Sequence, residues 1–251
     1  MAPPGLYVHT FHAPTAGPPV VLVHGAPDRS KNFAGVVALL GDLEVTVYDR
    51  RGYGRSLEAR PPSGGFEDQV ADLLAVLDDR PAVVCGQSAG GAIALMAATR
   101  APELFSSVAV WEPPLPWAPW WTDPDGQARL AAWLALPPRQ LGEMYNRELI
   151  GEARWAALPE RTRDLLRAEG AAFHADLASQ LTPPFDLADV KCPVVVGAGR
   201  ASSPWVLEAS TALAGRLGAG LLVADGAEHA AHLGQPAVWA ELVRRAVARA
   251  G

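Results

Sequence analysis

The sequence has little lysine, little cysteine and no long apolar run. Of its 251 residues only Lys31 and Lys191 are lysines; every other cationic side chain is arginine. The formal net charge is −6. Neutralising a phosphate backbone needs clustered Lys and Arg on one face, so a nucleic-acid partner is not expected. No stretch of about 18 apolar residues occurs, so no membrane span is expected. Met1–Thr10 has neither a basic n-region nor an apolar h-region, and no signal peptide is expected there. Cys85 and Cys192 are the only cysteines. Two thiols this far apart make neither a disulfide framework nor a zinc-ligand cluster. A reduced, cytoplasmic protein without a metal is therefore expected. No repeat of about 20–50 residues and no low-complexity tract appears.

What is present is ordinary globular material with two surpluses. Hydrophobic residues make up 49% of the chain, enough for a sizeable core. Proline (23) and tryptophan (8) are both frequent, and their positions matter below. Short Val-rich runs flanked by turn residues lie at Val20–Val23, Val45–Tyr48, Ala82–Cys85, Val108–Trp111, Pro193–Val196 and Leu221–Ala224. Runs this apolar suit strands buried on both faces. Leu6–Phe11 reads as an edge strand. Between the runs lie helical patterns: Phe33–Leu40, Val70–Leu77, Ala89–Ala98, Leu207–Leu217 and Val238–Val247. Strand–helix alternation of this kind predicts an α/β fold with a mostly parallel central sheet flanked by helices.

One stretch breaks the alternation. Residues 113–187 contain no convincing strand, many prolines, and helical patterns at Arg129–Leu136, Leu141–Ile150 and Thr162–Leu177. This predicts a helical cap inserted into a core made of residues 1–112 and 188–251. Five of the eight tryptophans (117, 120, 121, 133 and 155) fall in it.

Gly86-Gln87-Ser88-Ala89-Gly90 follows one predicted strand and opens a predicted helix. This is G-x-S-x-G in its strand–turn–helix context. The turn is so tight that the residues two before and two after the serine must be small. The serine sits at a helix N-terminus, where free N–H groups favour developing negative charge.

With these residues the chain resembles the α/β-hydrolase superfamily. Three further segments carry the resemblance in the right order. His24-Gly25-Ala26-Pro27 follows the Val20–Val23 strand, where the superfamily has its His-Gly oxyanion loop. Asp49-Arg50-Arg51-Gly52-Tyr53-Gly54-Arg55-Ser56 resembles its D-x-R-G-x-G-x-S segment. Gly226-Ala227-Glu228-His229 follows the last strand, where its catalytic histidine lies.

The resemblance implies roles. Ser88 is the expected nucleophile. The backbone N–H groups of Ala26 and Ala89 are the expected oxyanion donors; Pro27 has no N–H to offer. His24 is expected to orient its loop. His229 is the expected base, preferred over His232 three residues later, because chain order in this fold is Ser, acid, His. His174 reads as an ordinary helix residue.

The acid departs from the pattern. The superfamily often carries it after the Pro193–Val196 strand as G-x-x-D, but no carboxylate occurs between Lys191 and Glu208. Some members place it after the preceding strand instead. Here that residue is Glu112, at the C-terminal edge of Val108–Trp111 and followed by Pro113-Pro114. Glu112 is thus the expected acid. Asp49 is expected to order its own turn, Asp28 or Ser30 to cap the helix through Phe33, and Cys85 to be buried and inert.

The expected reaction is cleavage of an ester, lactone or thioester of a small, largely apolar substrate through an acyl-serine, with no cofactor. A serine at the turn argues against the dehalogenase and epoxide hydrolase branches, which use Asp. Trp117, Trp121, Trp133 and Tyr145 are the expected pocket residues. Perhydrolase or haloperoxidase-like and C–C hydrolase chemistry use the same Ser–His core. The empty acid slot also leaves a non-catalytic ligand-binding protein of this fold as an alternative.

Overall fold

The computed structural model describes residues 4–13 and 17–250. Met1–Pro3 of the N-terminal stretch considered above lie outside them. Seven strands form one sheet: β1 (Val8–Phe11), β2 (Val20–Val23), β3 (Val45–Tyr48), β4 (Ala82–Gln87), β5 (Phe105–Trp111), β6 (Val194–Gly199) and β7 (Gly220–Ala224). Their order is β1-β3-β2-β4-β5-β6-β7. Only β1 runs antiparallel, against β3. The edge strand starts two residues later than the apolar pattern suggests. Tyr7 has other partners: its N–H donates to Ser56 Oγ at 2.8 Å and its carbonyl accepts from Asp49 N–H at 3.0 Å.

Period-two alternation assigns side chains to the two faces. Val21, Val23, Val84, Val108, Val110, Val194 and Val196 pack with α2 (Phe66–Leu77), α3 (Ala89–Arg100) and α9 (Pro204–Leu217). Val20, Leu22, Val83, Cys85, Ala109, Trp111 and Val195 pack on the other face with α1 (Ala34–Leu39) and α11 (Pro236–Val247). The inner strands are buried on both sides, which is why their sequences are continuous apolar runs. Cys85 is fully buried, as expected, and burial pushes its thiol pKa up.

Five helices lie between β5 and β6: α4 (Gly126–Leu134), α5 (Pro138–Ile150), α6 (Glu152–Ala157), α7 (Glu160–Ala168) and α8 (Gly170–Ala178). The periodicity predicts three. The stretch read as one helix from Thr162 to Leu177 is divided at Glu169, because α5 crosses in backbone contact. A Cβ on Gly170 would stand 1.9 Å from Pro138 O. Glu169 instead turns inward to Arg29. The missed helix α6 is only six residues long and buries only Trp155. Leu141, Ala172, Phe173 and Leu177 build a small separate core around Tyr53. A short α10 (Ala231–Gly234) leads into α11.

Candidate active site

Strand register brings the expected residues to one edge. Gln87 pairs with Trp111, and Trp111 with Gly197, across three adjacent parallel strands. Ser88 and Glu112 are the next residues of β4 and β5, so both emerge at the carboxyl edge of the sheet. This is where open α/β sheets bind their ligands. Ser88 N–H still bonds to Trp111 O at 2.9 Å, and Glu112 N–H to Gly197 O at 3.1 Å. Both residues then leave the strand with positive φ, 51° at Ser88 and 46° at Glu112. For side chains with a Cβ this is strained backbone, of the kind that clusters at functional sites.

The Ser88 turn is closed by backbone contacts. A Cβ on Gly86 would lie 2.3 Å from Gly90 O, and one on Gly90 would lie 2.4 Å from Val23 O. The small residues of the motif therefore let α3 press its first turn onto β4 and the His24–Pro27 loop. Ala89, the first residue of α3, has no helical carbonyl within reach of its N–H.

Glu112 meets His229. The Glu112 side chain is fully buried, and its Oε2 accepts from His229 Nδ1 at 2.8 Å. Its other oxygen accepts from Gly199 N–H at 2.8 Å and from Ser202 Oγ at 2.7 Å. The end of β6 and the loop after it, which lack a carboxylate, thus supply two donors to the one that follows β5. Ser202 stands in the Gly199-x-x-Ser202 spacing, where the superfamily often carries aspartate. That spacing was the available signal for it. His229 is half exposed, and its carbonyl accepts from Gln87 Nε2 at 3.2 Å.

His232 goes elsewhere. It is buried between the rings of Phe33 and Trp239, with Nε2 2.9 Å from Asp28 Oδ2. Burial pushes the Asp28 carboxyl up, but the His232 contact, the His24 ring and the Arg29 N–H together leave the group below its ordinary value. Neither Asp28 nor Ser30 caps the helix through Phe33. Arg29 occupies the N-cap position, and Ser30 N–H donates instead to Asp49 Oδ1 at 2.7 Å. Asp49 also accepts from Arg55 N–H at 2.8 Å, so it does order its turn.

The His24–Pro27 loop is held from behind. His24 is fully buried; its Nδ1–H donates to Gly25 O at 2.7 Å and its Nε2 accepts from Arg50 N–H at 2.8 Å. That pair of bonds fixes the neutral Nδ1–H tautomer. Burial first, then the Arg50 charge, lowers its pKa to about 4. The Ala26 N–H finds no acceptor among the described residues.

These groups open into a cavity of about 580 Å³, within the ordinary size range of small-molecule sites. Ser88, His229, Glu112, Ala26 and Ala89 line it. Of the expected pocket residues Trp121, Trp133 and Tyr145 line it too. Trp117 does not: it stacks edge-on against Phe185 at 5.8 Å and packs on the sheet core. Sequence periodicity missed Phe173 of α8 and Trp205 of α9, which add rings to the lining. Trp133 and Phe173 both stack against Tyr145, at 5.5 and 4.7 Å, and Trp205 against Trp121 at 5.2 Å. Among the described residues no three His, Cys, Asp or Glu side chains gather as a metal-ligand set, and no helix is long and apolar enough to cross a membrane.

Residues 20–242 match the model of the alpha/beta hydrolase family, and the chain belongs to that family. Over 115 residues it is 34% identical to YraK, an uncharacterized hydrolase of Bacillus subtilis; the match covers 44% of this chain and 42% of that protein. An uncharacterized Mycobacterium tuberculosis protein is 32% identical over 114 residues, 41% of this chain and 33% of its own length. The chain thus matches less than half the length of these curated relatives. Among solved structures, an esterase of Thermogutta terrifontis superposes with TM-score 0.77 at 20% identity, covering 98% of this chain and 93% of its own. An alpha/beta hydrolase of Sphaerobacter thermophilus gives 0.71 at 27% identity, covering 95% of each chain.

Proposed function

We propose that the protein is a serine hydrolase that cleaves an ester, lactone or thioester of a small, largely apolar molecule. The observation that carries this reading is the 2.8 Å bond from His229 Nδ1 to the buried Glu112 carboxylate, in a cavity that Ser88 and His229 both line. The bond leaves Nε2 of His229 as the proton acceptor, which is what a general base requires.

Ser88 Oγ attacks the acyl carbon, and its proton passes to His229 Nε2. The N–H groups of Ala26 and Ala89 donate to the oxyanion. The C–O or C–S bond then breaks, and His229 returns the proton to the departing alcohol or thiol. Water, deprotonated by the same imidazole, attacks the acyl-serine and releases the acid. Glu112 holds Nδ1–H of the ring and stabilises the imidazolium. No step calls for a cofactor. Helices α4–α8, residues 113–187 with their connections, act as a cap. Its Trp121, Trp133, Tyr145 and Phe173 receive the apolar part of the substrate.

The test is a panel of p-nitrophenyl esters of graded acyl length, with fluorophosphonate labelling, on the wild type and Ser88→Ala. The reading expects turnover and labelling that Ser88→Ala abolishes. A folded wild type that does neither would be a ligand-binding protein of this fold instead.

A further inference from the structure

The carbonyl of one peptide unit beside the cavity is gripped from behind by two donors. Gly25 O accepts from His24 Nδ1–H at 2.7 Å and from Arg50 Nη2 at 3.0 Å. Arg50 Nε also donates to His24 O at 3.0 Å. The guanidinium is fully buried, and the carboxylate facing it is Asp176 of α8, whose Oδ2 accepts from the same Nη2 at 2.9 Å. Tyr53 OH donates to that oxygen at 2.7 Å.

A trans peptide unit is planar, with C=O and N–H pointing in opposite directions. Holding Gly25 O therefore aims the N–H of Ala26 the other way, towards the cavity that Ala26 lines beside Ser88. We infer that Asp176 is a positioning residue for the oxyanion hole, acting through Arg50 to fix the peptide unit whose N–H belongs to Ala26. This rests on the serine hydrolase reading above.

The physical reason is charge. Arg50 can donate to two carbonyls in a dry environment only while a carboxylate compensates it. Without Asp176 the guanidinium is a buried, unpaired cation that must draw in water or shift away from those carbonyls. The Ala26 N–H then loses its fixed aim, and preorganised donors are what stabilise a developing oxyanion. Asp176 is 126 residues from Arg50 in sequence and sits in the helices between β5 and β6. The same helix contributes Phe173, Asp176 itself and Leu177 to the cavity lining, so one element touches both the substrate space and the oxyanion loop, and an unchanged KM is what separates positioning from direct substrate contact.

The comparison variant is Glu169→Gln. Glu169 makes another tie between these helices and the core, accepting from Arg29 Nε at 3.0 Å and from Gly54 N–H at 2.9 Å, and it touches neither clamped carbonyl. The experiment measures ester turnover, inhibition by a trifluoromethyl ketone, melting temperature and amide exchange of peptide 24–28. It is run on the wild type, Asp176→Ala, Asp176→Asn and Glu169→Gln.

Removing an oxyanion donor outright costs about 10²–10³ in rate, so misaiming one is expected to lower kcat by about 10–100-fold in Asp176→Ala. KM should stay within about twofold, affinity for the ketone should fall by the same factor as kcat, and residues 24–28 should exchange faster. Asp176→Asn keeps an acceptor for Tyr53 and Arg50, and should show the same pattern to a smaller extent. Glu169→Gln should lower the melting temperature without that loss of kcat or ketone affinity. Unchanged kcat and ketone affinity in both Asp176 variants would overturn the inference, as would an equal loss in Glu169→Gln. A folded wild type that neither turns over esters nor reacts with fluorophosphonate removes the hydrolase reading, and the positioning role with it; an active wild type with indifferent Asp176 variants removes the positioning role alone.

Discussion

Ser202 Oγ donates to Glu112 Oε1 at 2.7 Å, from a loop position where the family often carries aspartate. The acid stands after β5 and its supporting hydroxyl after β6. Ser202 meets Glu112 at Oε1, while Oε2 of the same carboxylate holds His229 Nδ1 at 2.8 Å.

The acid is expected to be transferable between these two loops. Glu112→Gln should lower kcat by about 10³–10⁴, because a neutral amide neither fixes the histidine tautomer nor stabilises the imidazolium. Glu112→Ala/Ser202→Asp, with the carboxylate moved to the β6 loop, should recover at least tenfold over Glu112→Ala. Steady-state kinetics on the three variants measure this. A Glu112→Gln enzyme with wild-type turnover would remove Glu112 from the mechanism. Ser202→Ala alone should cost less, about tenfold or under, since Gly199 N–H and His229 still satisfy the carboxylate.

Much of this site was legible in the chain because its geometry is local. Ser88 is announced by small residues at fixed offsets within one strand–turn–helix, and His229 by the turn after the last strand. Glu112 was reachable through the resemblance, because the usual acid slot is empty and some members of the superfamily carry the acid after the preceding strand. Ser202, Asp176 and Arg50 act over 90–126 residues of separation, and periodicity carries no information on such pairings. The fold shows the same division. Val-rich runs marked every inner strand, whereas the break at Glu169 depends on α5 crossing against Gly170, a contact no local pattern contains. Trp117 and Trp133 are indistinguishable in sequence and differ only in which way their helices and loops turn them.

Acid should destabilise the protein through His24. Its pKa is lowered to about 4 in the folded state, against an ordinary value near 6.5. Between those values the unfolded chain binds a proton at this position that the folded chain refuses. The histidine's contribution is therefore fully present above about pH 6.5 and lost as pH falls towards 4. The span corresponds to roughly 3 kcal/mol. His24→Gln retains an N–H donor and an acceptor but does not titrate. Denaturant unfolding from pH 4 to 7 should show a shallower slope for His24→Gln than for the wild type. Equal slopes would mean that His24 titrates normally in the fold.

Buried ion pairs should be worth more to stability here than surface ones. Arg51 donates to both oxygens of Asp72 and to Pro61 O at 2.7 Å, and both side chains are buried. Removing one partner leaves the other charge uncompensated, which costs about 3–5 kcal/mol. Asp72→Ala should lose stability on that scale. Glu241→Ala, which breaks the exposed i,i+4 pair with Arg245, should lose under about 0.5 kcal/mol. Comparable denaturant midpoints for the two variants would contradict this.

The two tryptophans that looked alike in sequence should separate in experiment. Trp133 lines the cavity and stacks with Tyr145 at 5.5 Å. Trp133→Ala enlarges the acyl space, so the preferred ester should lengthen by a few carbons. A methylene in an apolar pocket is worth about 10–200-fold in kcat/KM, so selectivity between a short and a longer ester should shift by at least tenfold. Trp117 stacks on Phe185 at 5.8 Å, away from the lining, and packs on the sheet core. Trp117→Ala should destabilise the fold by about 1–3 kcal/mol through lost burial, lowering the melting temperature, and leave the ranking of esters as it was. The ester panel read together with thermal unfolding distinguishes them. If Trp117→Ala shifts selectivity as Trp133→Ala does, the apolar part of the substrate reaches further along the loop after β5 than the cavity described here.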